Sequence, residues 1–258
     1  MIDKSLLFFL FFSMIITIIL IFPTFFMLVT TPPQDLASAT LDREVIAAIS
    51  VSILTSTATT LLAIFLGVPF AYFLSRYEFK GKNIIDSLLD IPILLPHTVA
   101  GVVILCTFGP HQILGKGLRA LGISLIDTIY GIIIAQFFVS APLLIKTVKA
   151  VFDSLGTDYL KAARVYGASK IRVFFEIELP MASRGIATGA LLCWARALSE
   201  FGAVIILAYY PYTAPVLVFI KFTTEGLRAS KPISSLLVLI TLIIFIILKR
   251  VGGGVRYA

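Results

Sequence analysis

Long apolar runs separated by short polar stretches organise this chain. They cover approximately residues 5–29, 44–75, 88–109, 127–149, 184–210 and 233–248. About 20 apolar residues suffice to cross the hydrocarbon of a bilayer, and backbone polar groups cannot be left unpaired there. The pattern therefore predicts an all-α integral membrane protein with six transmembrane helices. The second run is overlong and is expected to tilt or to project from the bilayer. Pro92, Pro96 and Pro142 fall inside or at the ends of runs, where kinks or broken ends are expected. The first run follows Lys4 much as a secretory signal would, but it outlasts the about 7 to 15 residues of a signal core and no small-residue cleavage site follows it. It reads as an uncleaved first span.

Composition agrees with this pattern. Of 258 residues, 59% are hydrophobic and 14% charged, and the mean hydropathy is +1.04. A soluble domain carries about 25% charged residues. The net charge of +7 becomes informative once its placement is considered. With the N-terminus inside, fourteen Lys and Arg fall on the cytoplasmic side and six on the other, and Arg196 lies within a span. The positive-inside bias then places both termini, and the polar insert of residues 150–183, in the cytoplasm of a cell-membrane protein. The basic residues are spread over several loops with no aromatic stacking platform, which argues against nucleic acid as a partner. Cys106 and Cys193 stand alone in apolar segments and suggest packing, not a disulfide or metal framework.

The insert contains the chain's most specific local signals. Thr157 suits an N-cap, with Asp158 in the first turn where a carboxylate complements the helix dipole. Gly167 can supply the left-handed residue that ends this helix. A second short helix is expected from Ser169, as cap, through Lys170 to Glu178, stopping at Pro180. Ala162 and Ala163 offer a small-residue surface open to close approach. Two physical readings stay open: an elbow that plugs into a groove on another protein, or an amphipathic connector lying on anionic headgroups.

Spacing adds a third consideration. Ala162-Ala163, three residues, Gly167, nine residues, Ile177, one residue and Leu179-Pro180 resembles the EAA signature in the cytoplasmic loop of ABC importer membrane subunits. One position departs: Lys161 stands where the family has Glu, with Asp158 one turn earlier. The stretches PILLPHTVAGVVIL at 92–105, FGPHQILGKGL at 108–118 and WARALSEFGAVIILAYY at 194–210 resemble molybdate, tungstate and sulfate permeases. The resemblance covers roughly residues 45–248. It implies a transmembrane core at 44–248, preceded by a first helix and external loop at 1–43 and followed by a cytoplasmic tail at 249–258. It also implies that residues 157–168 form a coupling helix docking on an ATPase. Asp158, Lys161, Ala162, Ala163, Gly167, Ile177, Leu179 and Pro180 would serve that coupling. The implied assembly is a homodimer of this chain with two ATPase subunits and an external oxyanion-binding protein. ATP and magnesium would be used by the ATPase and no cofactor bound by this chain.

Within the spans, Arg196 and Glu200 need an explanation, since each costs about 2.5 to 3.5 kcal/mol near a helix centre if it faces lipid. Lying at i and i+4, they share a helix face. Two roles are open for the group Arg196, Ser199, Glu200 and Gly202: fixing the bundle or a dimer seam, or lining the path. Gly185 and Gly189 form a GxxxG that permits close helix approach. The nearest thing to a phosphate loop, Gly109 to Lys116, lacks the required spacing and hydroxyl, so no nucleotide site is expected. His97 and His111 have no partner at ligand spacing and read as packing or loop residues, and no metal site or catalytic set is evident. The chain is expected to be a transporter subunit, not an enzyme. A permease for phosphate, iron or thiamine, or a stand-alone secondary transporter, are the competing readings.

Overall fold

The computed structural model describes residues 4–156 and 158–251. The described residues form helices and connecting turns, with no strand. In chain order the helices are α1 (Lys4–Val29), α2 (Pro33–Leu41), α3 (Arg43–Arg76), α4 (Lys82–Leu88), α5 (Ile91–Leu94), α6 (His97–Phe108) and α7 (Ile113–Ala120). They continue with α8 (Ile129–Ser154), α9 (Asp158–Val165), α10 (Lys170–Val173), a π-helical segment (Phe174–Glu178), α11 (Leu179–Leu198), α12 (Gly202–Leu207), α13 (Ala214–Glu225) and α14 (Leu227–Val251).

Four described helices, α1, α3, α8 and α14, are long and apolar enough to cross a membrane. The expected third span is not one helix. Residues Lys82–Leu94 and His97–Phe108 meet at 116°, and together they can count as a fifth, broken span. Pro96 explains the break: it lacks an N–H and drives the preceding residue out of the helical region, and Leu95 is extended at φ −67, ψ 138. Pro142, by contrast, sits inside an uninterrupted α8.

The expected span at 184–210 also requires correction. Its helix starts earlier, at Leu179, and stops at Leu198, and α12 follows after a three-residue break. Pro180 does not stop the preceding helix as anticipated. It occupies the first turn of α11, which continues the π-helical Phe174–Glu178 without a break, and the wider π turn accommodates the missing N–H. The six-span count thus resolves into continuous and interrupted segments.

The core is built on α3, α8 and α11. At 34 residues, α3 is about 51 Å long at 1.5 Å per residue and outreaches the about 30 Å of hydrocarbon. Asp42 caps it by accepting from the Glu44 N–H at 2.8 Å. Ala63, Ala71, Leu144, Val148, Phe152, Ala182 and Cys193 form one buried cluster between these helices. A second cluster joins α6, α8, α12 and α13 through Ala100, Ile132, Ala135, Val204 and Val216.

Small residues set the closest approaches. A Cβ on Gly185 would fall 2.3 Å from Val151 Cγ2, and one on Gly189 3.3 Å from the Leu144 carbonyl. The GxxxG pair therefore serves contact with α8 inside the chain. Polar side chains at the crossings bond to one another: Trp194 Nε1 donates to Thr57 Oγ1 at 3.2 Å, and Thr59 Oγ1 to Gln136 Oε1 at 3.1 Å. Cys193 is buried in this region, whereas Cys106 is exposed on α6. Helix α1 stands apart, with 0% of its span buried. Its C-terminal end is tied to α14 by Thr31 Oγ1 and Ser235 Oγ at 2.9 Å, and by Lys231 Nζ donating to the Thr30 carbonyl at 2.8 Å.

Candidate functional site

The insert between α8 and α11 is shorter than 150–183, because α8 runs to Ser154 and α11 begins at Leu179. Thr157, the expected cap of α9, lies outside the described residues, as does the tail beyond Val251. Helix α9 ends as its residues dictate. Gly167 has φ +82, and the Ala168 N–H reaches back to the Ala163 carbonyl at 3.1 Å, six residues closing on the first as in a Schellman motif. That closure explains why an alanine and a glycine four residues apart belong together. Ser169 caps the next turn by accepting the Arg172 N–H at 3.2 Å.

The elbow shows its tip to the surroundings. Val165 is 84% exposed and Tyr166 91%, with Ile171 at 73%. Asp158 and Lys161 pair at 3.2 Å on the same exposed surface, and Ala162 is exposed beside them. Ile177, Leu179 and Pro180 are placed differently. Leu179 packs against the α3, α8 and α11 cluster, and Ile177 is half-buried. Ile177 and Leu179 root the elbow, whereas Pro180 is exposed at the start of α11.

Sequence reasoning missed the anchor of this root. Glu178, the variable residue between Ile177 and Leu179, is fully buried, and its Oε1 accepts from Arg76 Nε at 2.7 Å. Arg76 Nη2 also donates to the Leu155 carbonyl at 3.4 Å. One guanidinium thus ties the end of α3, the end of α8 and the start of α11. Beside it, Tyr72, Arg76, Tyr77, Lys161 and Lys170 line a cleft of about 460 Å3, with the Lys170 ammonium 5.0 Å from the Tyr77 ring centre.

A second constellation lies at the break between α11 and α12. Glu200 is buried, with Oε1 accepting from the Ala203 N–H at 2.8 Å and Oε2 from Arg196 Nη1 at 2.7 Å. Arg196 Nη2 lies 2.6 Å from His97 Nδ1. Arginine has only donors, so the tautomer that satisfies this contact has Nδ1 accepting and its proton on Nε2, whereas a proton on Nδ1 would be directed to Glu200 Oε2. In the first of these tautomers the 3.1 Å separation of His97 Nδ1 from Glu200 Oε2 is two acceptors converging on one guanidinium. His97, expected from sequence as a packing or loop residue, packs its Cβ against Gly202 at the start of α6 and also contacts the Arg196–Glu200 pair.

Gly202 makes this convergence possible. A Cβ there would sit 2.4 Å from His97 Cβ and 2.9 Å from the Thr98 nitrogen. Gly202→Ala is expected to push α12 off the start of α6, costing about 1–3 kcal/mol and lowering the melting temperature in detergent. An unchanged melting temperature would contradict this packing. Ser199 is exposed and turns inward only to donate to the Arg196 carbonyl at 3.1 Å.

The fold and both constellations invite comparison with known proteins. Residues 63–256 match the family described as binding-protein-dependent transport system inner membrane component. The chain belongs to that family. As a member of it, this permease is a multi-pass membrane protein and a transport subunit, not an enzyme.

The permease is 43% identical over 215 residues to the molybdate/tungstate transport system permease protein WtpB of Pyrococcus abyssi, covering 83% of this chain and 82% of the relative. It is 36% identical over 206 residues to a probable molybdenum ABC transporter permease protein of Haloferax volcanii, covering 80% and 75%. The sulfate transport system permease protein CysT of Escherichia coli is 30% identical over 205 residues, covering 78% and 74%. Among solved structures, a bacterial ABC transporter involved in alginate import superposes with a TM-score of 0.77 over 98% of this chain and 96% of that one, at 15% identity. The MetNI methionine ABC transporter gives 0.65 over 81% and 94%, at 14% identity. These two likenesses concern the fold alone, that of an ABC importer type I permease.

Proposed function

We propose that this permease is the membrane subunit of an ATP-driven importer of a tetrahedral oxyanion, molybdate or tungstate first and sulfate second. Two copies enclose the path, an external binding protein delivers the ion, and two ATPase subunits, using ATP and magnesium, supply the energy. The termini and the elbow face the cytoplasm of a cell membrane, following the distribution of Lys and Arg.

The observation that carries this reading is the elbow itself. Its apolar tip is exposed on Val165 and Tyr166, while its root is fixed to α3 and α8 through the buried Arg76–Glu178 pair. A surface that stays unsatisfied in the single chain but is rigidly connected to the core suits a part pushed by another protein. Closure of the ATPases would draw the two elbows together, and the helices would follow as rigid bodies, alternately opening the path outward and inward.

The path is supported by the outer face of α11. Arg184 and Ser199 are exposed along it, Thr188 and Arg196 half-buried, with Met181 and Leu192 exposed among them, and α3 and α8 cover the opposite side. Lipid would penalise the two arginines of this mixed face, so they belong against water or a second copy. The oxyanion assignment draws on the relatives named above. A dianion cannot cross hydrocarbon unaided, since desolvation costs on the order of tens of kcal/mol.

The test is uptake of labelled molybdate, tungstate and sulfate into vesicles holding the permease, its ATPase and the binding protein. Uptake is expected only with all components and ATP. Transport by the permease alone would refute the reading.

A further inference from the structure

We propose that Arg196 and His97 form a single contact for the oxyanion in transit, with Glu200 as the positioning residue that aims the arginine. This rests on the importer reading and extends it to a residue, His97, that neither motif nor spacing singled out.

The three side chains are arranged asymmetrically toward the surroundings. The Glu200 side chain is 0% exposed, that of Arg196 24% and that of His97 57%. The acid is hidden, and its two oxygens are occupied by the Ala203 N–H and by Arg196 Nη1. What faces outward is a set of donors. Of the five N–H groups of a guanidinium, one serves Glu200 and one serves His97, which leaves three. With its proton on Nε2, the ring presents a donor that no acceptor among the described residues takes up, Nε2 also lying 3.5 Å from Arg196 Nη2. Arg and His donors on one edge suit an anion with several oxygens.

Glu200 also explains why this contact would release what it binds. Its carboxylate offsets the arginine charge within the same cluster, and the imidazole is neutral when Nδ1 accepts from Arg196. The ion therefore meets directional donors with little net positive charge. A passage site must bind weakly enough to let its ligand leave. An isolated arginine would hold a dianion too firmly. The location supports the same role, because the cluster continues the uncovered face of α11 that carries Arg184, Thr188 and Ser199. It lies at the first residue of α6, a 12-residue helix whose positive end favours anions.

Two conservative substitutions separate contact from mere support. In His97→Asn the amide oxygen can replace Nδ1 as acceptor for Arg196, but the outward donor is lost. In His97→Gln the amide nitrogen reaches the Nε2 position, while the acceptor for Arg196 is lost. The assembled complex, with ATPase and binding protein in vesicles, is assayed with molybdate for ions imported per ATP hydrolysed. His97→Asn is expected to lower that ratio about tenfold, the scale of one lost hydrogen bond to a charged ligand, with His97→Gln retaining more. The reverse order would mark His97 as support for Arg196 only and overturn the proposal. So would a His97→Asn variant that fails to assemble while His97→Gln assembles.

Arg196→Lys keeps a cation beside Glu200 but loses the fork that also reaches His97, and it is expected to raise the molybdate concentration for half-maximal import about tenfold. If the unsubstituted complex imports none of molybdate, tungstate and sulfate, the oxyanion reading and this contact fall together. If it imports them and both His97→Asn and Arg196→Lys match it, the contact alone falls.

Discussion

Replacing Gly167 with Val is expected to leave the permease inserted in the membrane while abolishing its grip on the ATPase. The reason is conformational. Gly167 adopts φ +82, and a Cβ there would meet nothing within 4 Å, so no clash is involved. A side chain in the left-handed region costs about 1–2 kcal/mol, and a β-branched one fares worse. The elbow is exposed, so the chain can relieve this strain by unwinding the turn. The bond from the Ala168 N–H to the Ala163 carbonyl would then open, and Val165 and Tyr166 would lose their common orientation. The spans gain nothing from that turn and should insert normally. Gly167→Asn is the informative companion, because asparagine tolerates the left-handed region and should retain most docking. Co-purification of a tagged ATPase with each variant from detergent-solubilised membranes decides the matter. Normal recovery with the valine variant would remove the elbow from any coupling role.

The second large effect is expected at the elbow's root. Arg76→Met leaves the Glu178 carboxylate, 0% exposed, without its cation. Removing one partner of a buried pair costs about 3–5 kcal/mol, because the remaining charge is buried and uncompensated. Glu178 Oε2 has no well-formed hydrogen bond among the described residues, and the Tyr72 hydroxyl beside the carboxylate brings no positive charge. A markedly lowered melting temperature in detergent is expected for Arg76→Met. The double variant Arg76→Met with Glu178→Gln should recover much of the loss, since it removes the orphaned charge. Equal melting of the single variant and the unsubstituted chain would mean that the pair does not anchor the elbow. ATPase docking measured on the same variants would show whether the root transmits what the tip receives.

How much of this was open to reading beforehand varied with the range of the interaction. The first, second, fourth and sixth runs are legible as single helices because hydropathy and backbone satisfaction in lipid act residue by residue. The turn at Gly167 was also accessible, since a Schellman closure involves only six neighbouring residues. Boundaries at prolines were harder. Pro96 broke its span, whereas Pro142 lies within a continuous α8 and Pro180 opens α11. The residue type is the same in each case, and the outcome depends on how the neighbouring backbone absorbs the missing N–H and on which helices pack alongside.

The site followed the same division. Arg196 and Glu200 were paired from their spacing along one helix, and that pairing is present at 2.7 Å. Their third member, His97, is 103 residues from Glu200, and Arg76 is 102 residues from Glu178. No periodicity or local offset links positions so far apart. The amino-acid sequence alone determined that this chain must be helical, must lie in lipid and must turn sharply at Gly167, because these follow from the transfer of apolar groups and from the backbone freedom of single residues. Only the tertiary structure decided which buried charges meet and which donors stay uncovered, because those pairings form when α6 closes on α12 across Gly202 and when α3 lies along α8.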